Sequence, residues 1–188
     1  MKAFGFLSFG HYTFGSQRGP SAEEVAKIHL EIAQAADEIG VNNASFRVHH
    51  FVPQASAPMP QLGAVAATTK NIEVGTGVID MRYENPLYLA EEAAALDQLA
   101  DGRVAIGVSR GLPEPAKDGW RVFGYDAAEA NGSDMARAKF ELFLSAIRSE
   151  GIAEADSLEN QYPQMYQGPT PRSSTGAFGG APARTPRP

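Results

Sequence analysis

The sequence predicts an α/β fold of four successive β–α units, and two observations carry that prediction. Short apolar, β-rich runs alternate with longer stretches of helical periodicity through about the first 150 residues. Helix-start and helix-stop signals fall between those runs. Such alternation marks a parallel sheet covered by helices. With right-handed crossovers it forms either half of a (β/α)8 barrel or an open doubly wound sheet.

The first strand is Phe4-Gly5-Phe6-Leu7-Ser8-Phe9, ended by Gly10. Ser21-Ala22-Glu23-Glu24 is a capping box, in which Glu24 reaches back to the Ser21 N–H. Val25, Ile28, Ile32, Ala36 and Ile39 follow at helical spacing and predict one apolar face. Gly40 and Val41 close the helix as a Schellman motif. The second strand is expected over 43–48. Pro58 and Pro60 open a helix carrying Leu62, Val65 and Ala66, and 72–78 is the third strand. Asn85 and Pro86 suit the N-cap and first positions of a helix that runs to about Ala100, where Asp101-Gly102 turns the chain. The fourth strand is 103–108. After an irregular stretch, Ser133 is expected to cap a helix that buries Ala136, Phe140, Phe143 and Ile147, with Gly151 after it.

The 188 residues carry a net charge of -6, which argues against a nucleic-acid partner and gives no support to an anionic membrane surface. No apolar run is long enough to span a bilayer. The first ten residues lack a basic leader and a cleavage site, so they read as a strand. With no cysteine, disulfides and thiol chemistry are excluded. These features fit a cytoplasmic protein. From 169 to 188 there is no Leu, Ile, Val, Met or acid, only Pro, Gly, Ala, Ser, Thr, Arg and one Phe. Such a segment buries too little apolar surface to offset its ordering entropy. The organisation expected is therefore one domain over 1–151 and an irregular, disordered tail over 152–188. The abrupt onset of that tail suggests a frame-shifted or non-homologous ending.

The candidate chemistry lies at strand ends. On the second strand Ala44, Phe46, Val48 and His50 share one face, and Asn43, Ser45, Arg47 and His49 share the other. The apolar set should face the helices, which leaves His49 on the open side, suited to proton transfer near neutral pH. Neighbouring side chains on a strand diverge and no HExxH spacing occurs, so no shared metal is expected. On the fourth strand Val104, Ile106 and Val108 should face the helices, while Ala105, Gly107 and Ser109 leave room for a flat ligand. Arg110, just beyond, suits a phosphate. Taken singly, His49-His50 also fit a polar strand end and Arg110 an ordinary surface arginine. Ser109 has no base placed for a Ser-His-Asp pattern. Gly75-Thr76-Gly77 lacks the third glycine and the following helix of a dinucleotide fingerprint. Asn131-Gly132-Ser133 is a glycosylation sequon without a secretory signal. His11 and His29 have no evident partners and read as structural or exposed.

The motifs Phe4-Gly5-Phe6, His49-His50-Phe51, Val74-Gly75-Thr76, Asn85-Pro86, Leu96-Asp97-Gln98-Leu99 with Asp101-Gly102-Arg103, Ser109-Arg110-Gly111 and Arg121-Val122-Phe123-Gly124 occur in this order. Together they resemble the bacterial luciferase-like, flavin-dependent monooxygenases over about residues 1–150. The resemblance implies a TIM-barrel (β/α)8 fold, here truncated to about four β–α units. It also implies a monooxygenase that uses reduced FMN and O2 on a small organic substrate such as an aldehyde. A separate flavin reductase commonly supplies the reduced FMN, and members often form homodimers through helices of the first half. An F420-dependent oxidoreductase on the same barrel is the alternative, and a non-catalytic remnant is another.

By the same resemblance, His49 matches the family's catalytic histidine, and Gly77-Val78 a non-prolyl cis peptide against the flavin ring. Ser109 stands where luciferase has a cysteine beside the flavin. Arg110 and Arg137 match phosphate-binding arginines. Two departures stand out. Val48 replaces the acid that usually precedes the two histidines. The family also continues for four more strands, so a half barrel leaves two open sheet edges, and weak or no FMN binding, with self-association or aggregation, is expected.

Overall fold

The computed structural model describes residues 2–15, 17–111 and 115–154. The tail expected to be disordered lies outside the described residues from 155 onward. Nine elements follow in order: β1 (Gly5–Ser8), α1 (Ala22–Glu38), β2 (Asn43–Phe46), α2 (Pro58–Thr68), β3 (Glu73–Asp80), α3 (Pro86–Leu99), β4 (Val104–Ser109), a 3-10 turn (Gly119–Phe123) and α4 (Ser133–Ile147).

The strands form one parallel sheet in the order β1-β2-β3-β4. Order follows sequence without reversal, the winding of a (β/α)8 barrel and not of a doubly wound sheet, whose order switches direction midway. Ala44, Phe46, Val74 and Ile72 pack with Leu62, Val65, Ala33 and Leu96 of the helices in one core. A second core joins Val48, Ile79 and Met81 to Leu89, Ala90, Ala136 and Phe143. The helices thus cover one face of the sheet. No helix of the described residues is long and apolar enough to cross a membrane.

Local signals set the helix ends. Ser21 and Glu24 form the reciprocal capping box, and α1 closes with Val41 N–H on the Ala36 carbonyl and Gly40 N–H on Asp37, with Gly40 at φ +83°. That is the Schellman pattern. Asn85 Oδ1 accepts from Leu87 N–H and Tyr88 N–H at the start of α3. The buried face of α1, however, is Val25, His29, Ala33 and Ala36, and Ile28, Ile32 and Ile39 are exposed at 40%, 42% and 79%. The expected isoleucine face is therefore wrong. Small side chains let α1 approach the sheet closely, and His29 bonds Ser8 Oγ at 2.9 Å and Gln61 at 2.5 Å, which satisfies a buried imidazole.

At α4 the N-cap is Gly132, in the left-handed region at φ +69°, and Ser133 is the first helical residue. Asn131 Oδ1 takes the Ser133 N–H, and the Ser133 hydroxyl turns to Glu129, so the serine does not cap. Further along, Ala146 is buried and Ile147 is exposed, one position away from the face expected. The second strand stops at Phe46, short of the expected Val48, because the His49 N–H leaves the ladder for the Ala55 carbonyl.

Candidate active site

The two faces of the sheet separate as strand parity requires. Ala44, Phe46 and Val48 are buried against helices, and Asn43, Ser45, Arg47 and His49 lie on the partly open face. Leu7 and Phe9 share that face from β1 and are 43% and 45% exposed. A Cβ on Gly77 would meet Leu7 and Ser45, which locates Gly77 there too. On β4, Ile106 and Val108 pack into the helix-side core, leaving Ala105, Gly107 and Ser109 for the open side.

Register brings the candidate residues to one end. Phe46 pairs with Thr76 and Thr76 with Ile106; His49 lies past the first of these, and Ser109 pairs with Asp80 at the end of β4. His49 and Ser109 are therefore on the same C-terminal rim, where barrel active sites are built. The Gly77-Val78 peptide is cis, and the β3–β4 register shifts between Thr76 and Ile79. The Thr76 hydroxyl bridges that break: it donates to the Gly107 carbonyl at 2.9 Å and accepts the Gly107 N–H at 3.0 Å.

Beside β4 a cavity of about 220 Å³ is lined by Ser109, Arg110, Ser133 and Arg137, with Met81 and Phe140 among its apolar walls. Two guanidinium groups and the N-terminus of a 15-residue helix converge there. Among the described residues neither arginine forms an ion pair. Arginine forks are donors that suit a phosphate ester, so Arg110 and Arg137 fit a phosphate group. A second cavity of about 480 Å³ adjoins it through Arg110 and Ser133 and adds Lys117 and Asn131.

Burial, reinforced by the Arg47 and Arg82 guanidinium groups and opposed by Asp80, holds the His49 imidazole below its ordinary pKa. A neutral imidazole at pH 7 is a proton acceptor. His50 faces the other way. It packs on Tyr83 at 4.5 Å and Phe123 at 5.2 Å, and burial lowers its pKa as well.

A buried ion pair beneath the rim was not foreseen. Arg82 Nη2 lies 2.5 Å from Asp80 Oδ2, with Nε 3.0 Å from both carboxylate oxygens. The guanidinium also bonds the Asn131 carbonyl and stacks 5.0 Å over Trp120. Gly111 sits so close that a Cβ there would strike both Asp80 and Arg82. The pair therefore packs against the loop after Arg110 and bonds the Asn131 loop that precedes α4. Opposite charges two apart in Asp80-Met81-Arg82, where the third strand ends and the chain turns, were the available signal. His11, read as lacking a partner, stacks on Phe9 at 6.0 Å and bonds Gln54 at 2.5 Å.

The sequence profile of the luciferase-like monooxygenases matches residues 4–148. The chain belongs to that family. The alkanal monooxygenase alpha chain of Photorhabdus luminescens is 30% identical over 177 residues, spanning 91% of this chain and 46% of that protein. The oxygenating constituent of 3,6-diketocamphane monooxygenase from Pseudomonas putida, solved with FMN, superposes with a TM-score of 0.67 at 21% identity, over 83% of this chain and 42% of its own. Monooxygenase RslO1 from Streptomyces bottropensis superposes at 0.66 and 23% identity, over 86% and 47%. The luciferase-like chain thus spans a little under half the length of the relatives it matches.

A further titratable pair of the luciferase-like chain flanks this region. Burial, then Glu92 and Asp80, pushes Glu84 up to about 7 against the pull of Lys139. Burial takes Lys139 down to about 8, opposed by Glu84 and Asp80. The Lys139 ammonium donates to the Arg82 carbonyl at 2.9 Å and lies over the Tyr125 ring. The folded state therefore holds the Glu84 proton more tightly than the unfolded chain, whose value is near 4.5. Stability is lost as pH rises between those values. Glu84→Gln is expected to match the parent at about pH 4, below the unfolded value, and to be more stable by about 2 kcal/mol at pH 8, after discounting for partial exposure and the lost Lys139 attraction. Urea unfolding at both pH values checks this; an equal difference at the two would refute it.

Proposed function

We propose that this chain carries the flavin-binding half of a monooxygenase that uses reduced FMN and O2 to oxidise a small organic substrate. The observation that carries this reading is the cavity where Arg110, Arg137, Ser109 and the α4 N-terminus meet on the His49 rim. Arg110 and Arg137 hold the phosphate. The cis Gly77-Val78 unit and Ser109 would bound the ring, over a floor kept shallow by Gly75 and Gly107. Bound reduced flavin supplies the electrons that activate O2. His49, neutral near pH 7, accepts or returns a proton at its imidazole nitrogen. Leu7, Phe9 and Val78 provide an apolar wall that limits water. Alkanal oxidation by the Photorhabdus relative supports an aldehyde or similar small molecule as substrate. A separate reductase supplies reduced FMN, and the exposed Ile28, Ile32 and Ile39 stripe of α1 suits a homodimer contact.

Titration of the purified chain with FMN tests the reading, with size-exclusion in parallel to follow self-association. Arg110→Ala and Arg137→Ala are each expected to weaken FMN binding roughly 10- to 100-fold, the worth of a charge-assisted bond, and to leave riboflavin binding unchanged. Equal FMN affinity in parent and variants would overturn it.

A further inference from the structure

Among the described residues, Arg47 on the open face has no carboxylate partner. It is partly buried, follows β2 on the side of His49, and lies with its guanidinium 5.3 Å over the Phe9 ring. The acid of the same rim, Asp80, is committed to Arg82. Glu73 is at the opposite end of the sheet and accepts from Asn43. The influence of Arg47 on His49 shows that the two groups share one field.

A guanidinium drawn partly out of water without a counter-charge carries an unmet desolvation cost, which an anionic ligand offsets. Its planar fork matches a carboxylate through two parallel N–H donors. The surroundings are otherwise apolar or aromatic: Leu7, Phe9 and Val78 are each between 39% and 45% exposed. Phe9 is itself held by His11, which Gln54 anchors, so the wall behind Arg47 is fixed.

From this juxtaposition we propose that the substrate is a small organic acid, with one carboxylate bound by Arg47 and an apolar body lying along Leu7, Phe9 and Val78 toward His49. This narrows the substrate class and rests on reading the rim as the substrate pocket. An aldehyde or ketone lacking a negative charge leaves Arg47 unused.

The test is an NMR titration of the full chain with phenylacetate and with phenylacetamide, which differ in charge and hardly in shape. The parent is expected to bind the acid roughly tenfold or more tightly than the amide, with shifts at the Arg47 Nε–H, Phe9 and His49. Arg47→Ala and Arg47→Met should abolish that preference, and Arg47→Lys should keep part of it. Equal binding of the two probes, binding of neither at about 10 mM, a scale set by millimolar Kd values, or a preference that survives both neutral variants would overturn the proposal. Two neutral variants guard against one that fails to fold. FMN titration of the same proteins separates the two readings. A parent that binds FMN but shows no charge preference sinks this inference alone. A charge preference without FMN binding sinks the flavin reading alone. Loss of FMN affinity in Arg47→Ala with no acid preference in the parent would assign Arg47 to the cofactor and overturn the proposal.

Discussion

Asp80→Ala is expected to lower the stability of the chain by about 3–5 kcal/mol, the range for breaking one partner of a buried ion pair. Both side chains are under 10% exposed. Three hydrogen-bond contacts run from the guanidinium to the carboxylate, and the Arg82 N–H adds a fourth at 3.0 Å. Without Asp80 the guanidinium keeps the Asn131 carbonyl and the Trp120 and Tyr83 faces but loses the carboxylate that takes three of its contacts. The cost is that of a buried cation deprived of this carboxylate, not of the pair as a whole. Asp80→Leu with Arg82→Met is therefore expected to recover most of the loss. Urea unfolding with an unchanged m-value measures both. A single variant within about 1 kcal/mol of the parent would show that water reaches the guanidinium.

The same pair shows where reading the sequence stops. Capping at Ser21, Asn85 and Gly40 was legible because each motif is local, a matter of residue types at fixed offsets. The placement of His49 was legible because strand parity links it to Ala44, Phe46 and Val48, whose burial is unambiguous. Arg110 and Arg137, 27 positions apart in sequence, came to one cavity through the resemblance and not through any local pattern. The face of α1 was misread for a tertiary reason. Isoleucine outranks alanine and histidine in hydrophobicity, yet only the small Ala33 and Ala36 and the doubly bonded His29 fit beneath the helix. Asp80 and Arg82 look like surface charges until the chain brings Trp120, Gly111 and Asn131 around them. The Arg47 charge was visible on its face, but its lack of an acid needed the positions of Asp80 and Glu73.

Gly75→Ala is expected to cost about 3 kcal/mol, although it adds one methyl group, because the methyl has nowhere to go. A Cβ built on Gly75 lies 2.3 Å from the Ala105 carbonyl oxygen, which belongs to the backbone of the paired strand and cannot rotate aside. Gly107 repeats the relation in reverse, its Cβ falling 2.4 Å from the Thr76 carbonyl oxygen. Relief requires β3 and β4 to move apart, which would loosen the Thr76 bridge to Gly107. Gly63→Ala supplies the opposite sign. That glycine is inside α2 with nothing within 4 Å of a new Cβ, so the substitution should stabilise by roughly 0.5–1 kcal/mol through helix propensity. Thermal unfolding of the two variants beside the parent decides the matter, and a neutral Gly75→Ala would mean that the strands are not so closely apposed. The glycines of β3 and β4 then have a steric role first: they set how near two backbones come. The shallow floor proposed for the flavin ring follows from that approach, since any side chain at these positions would separate the strands before it could fill the pocket.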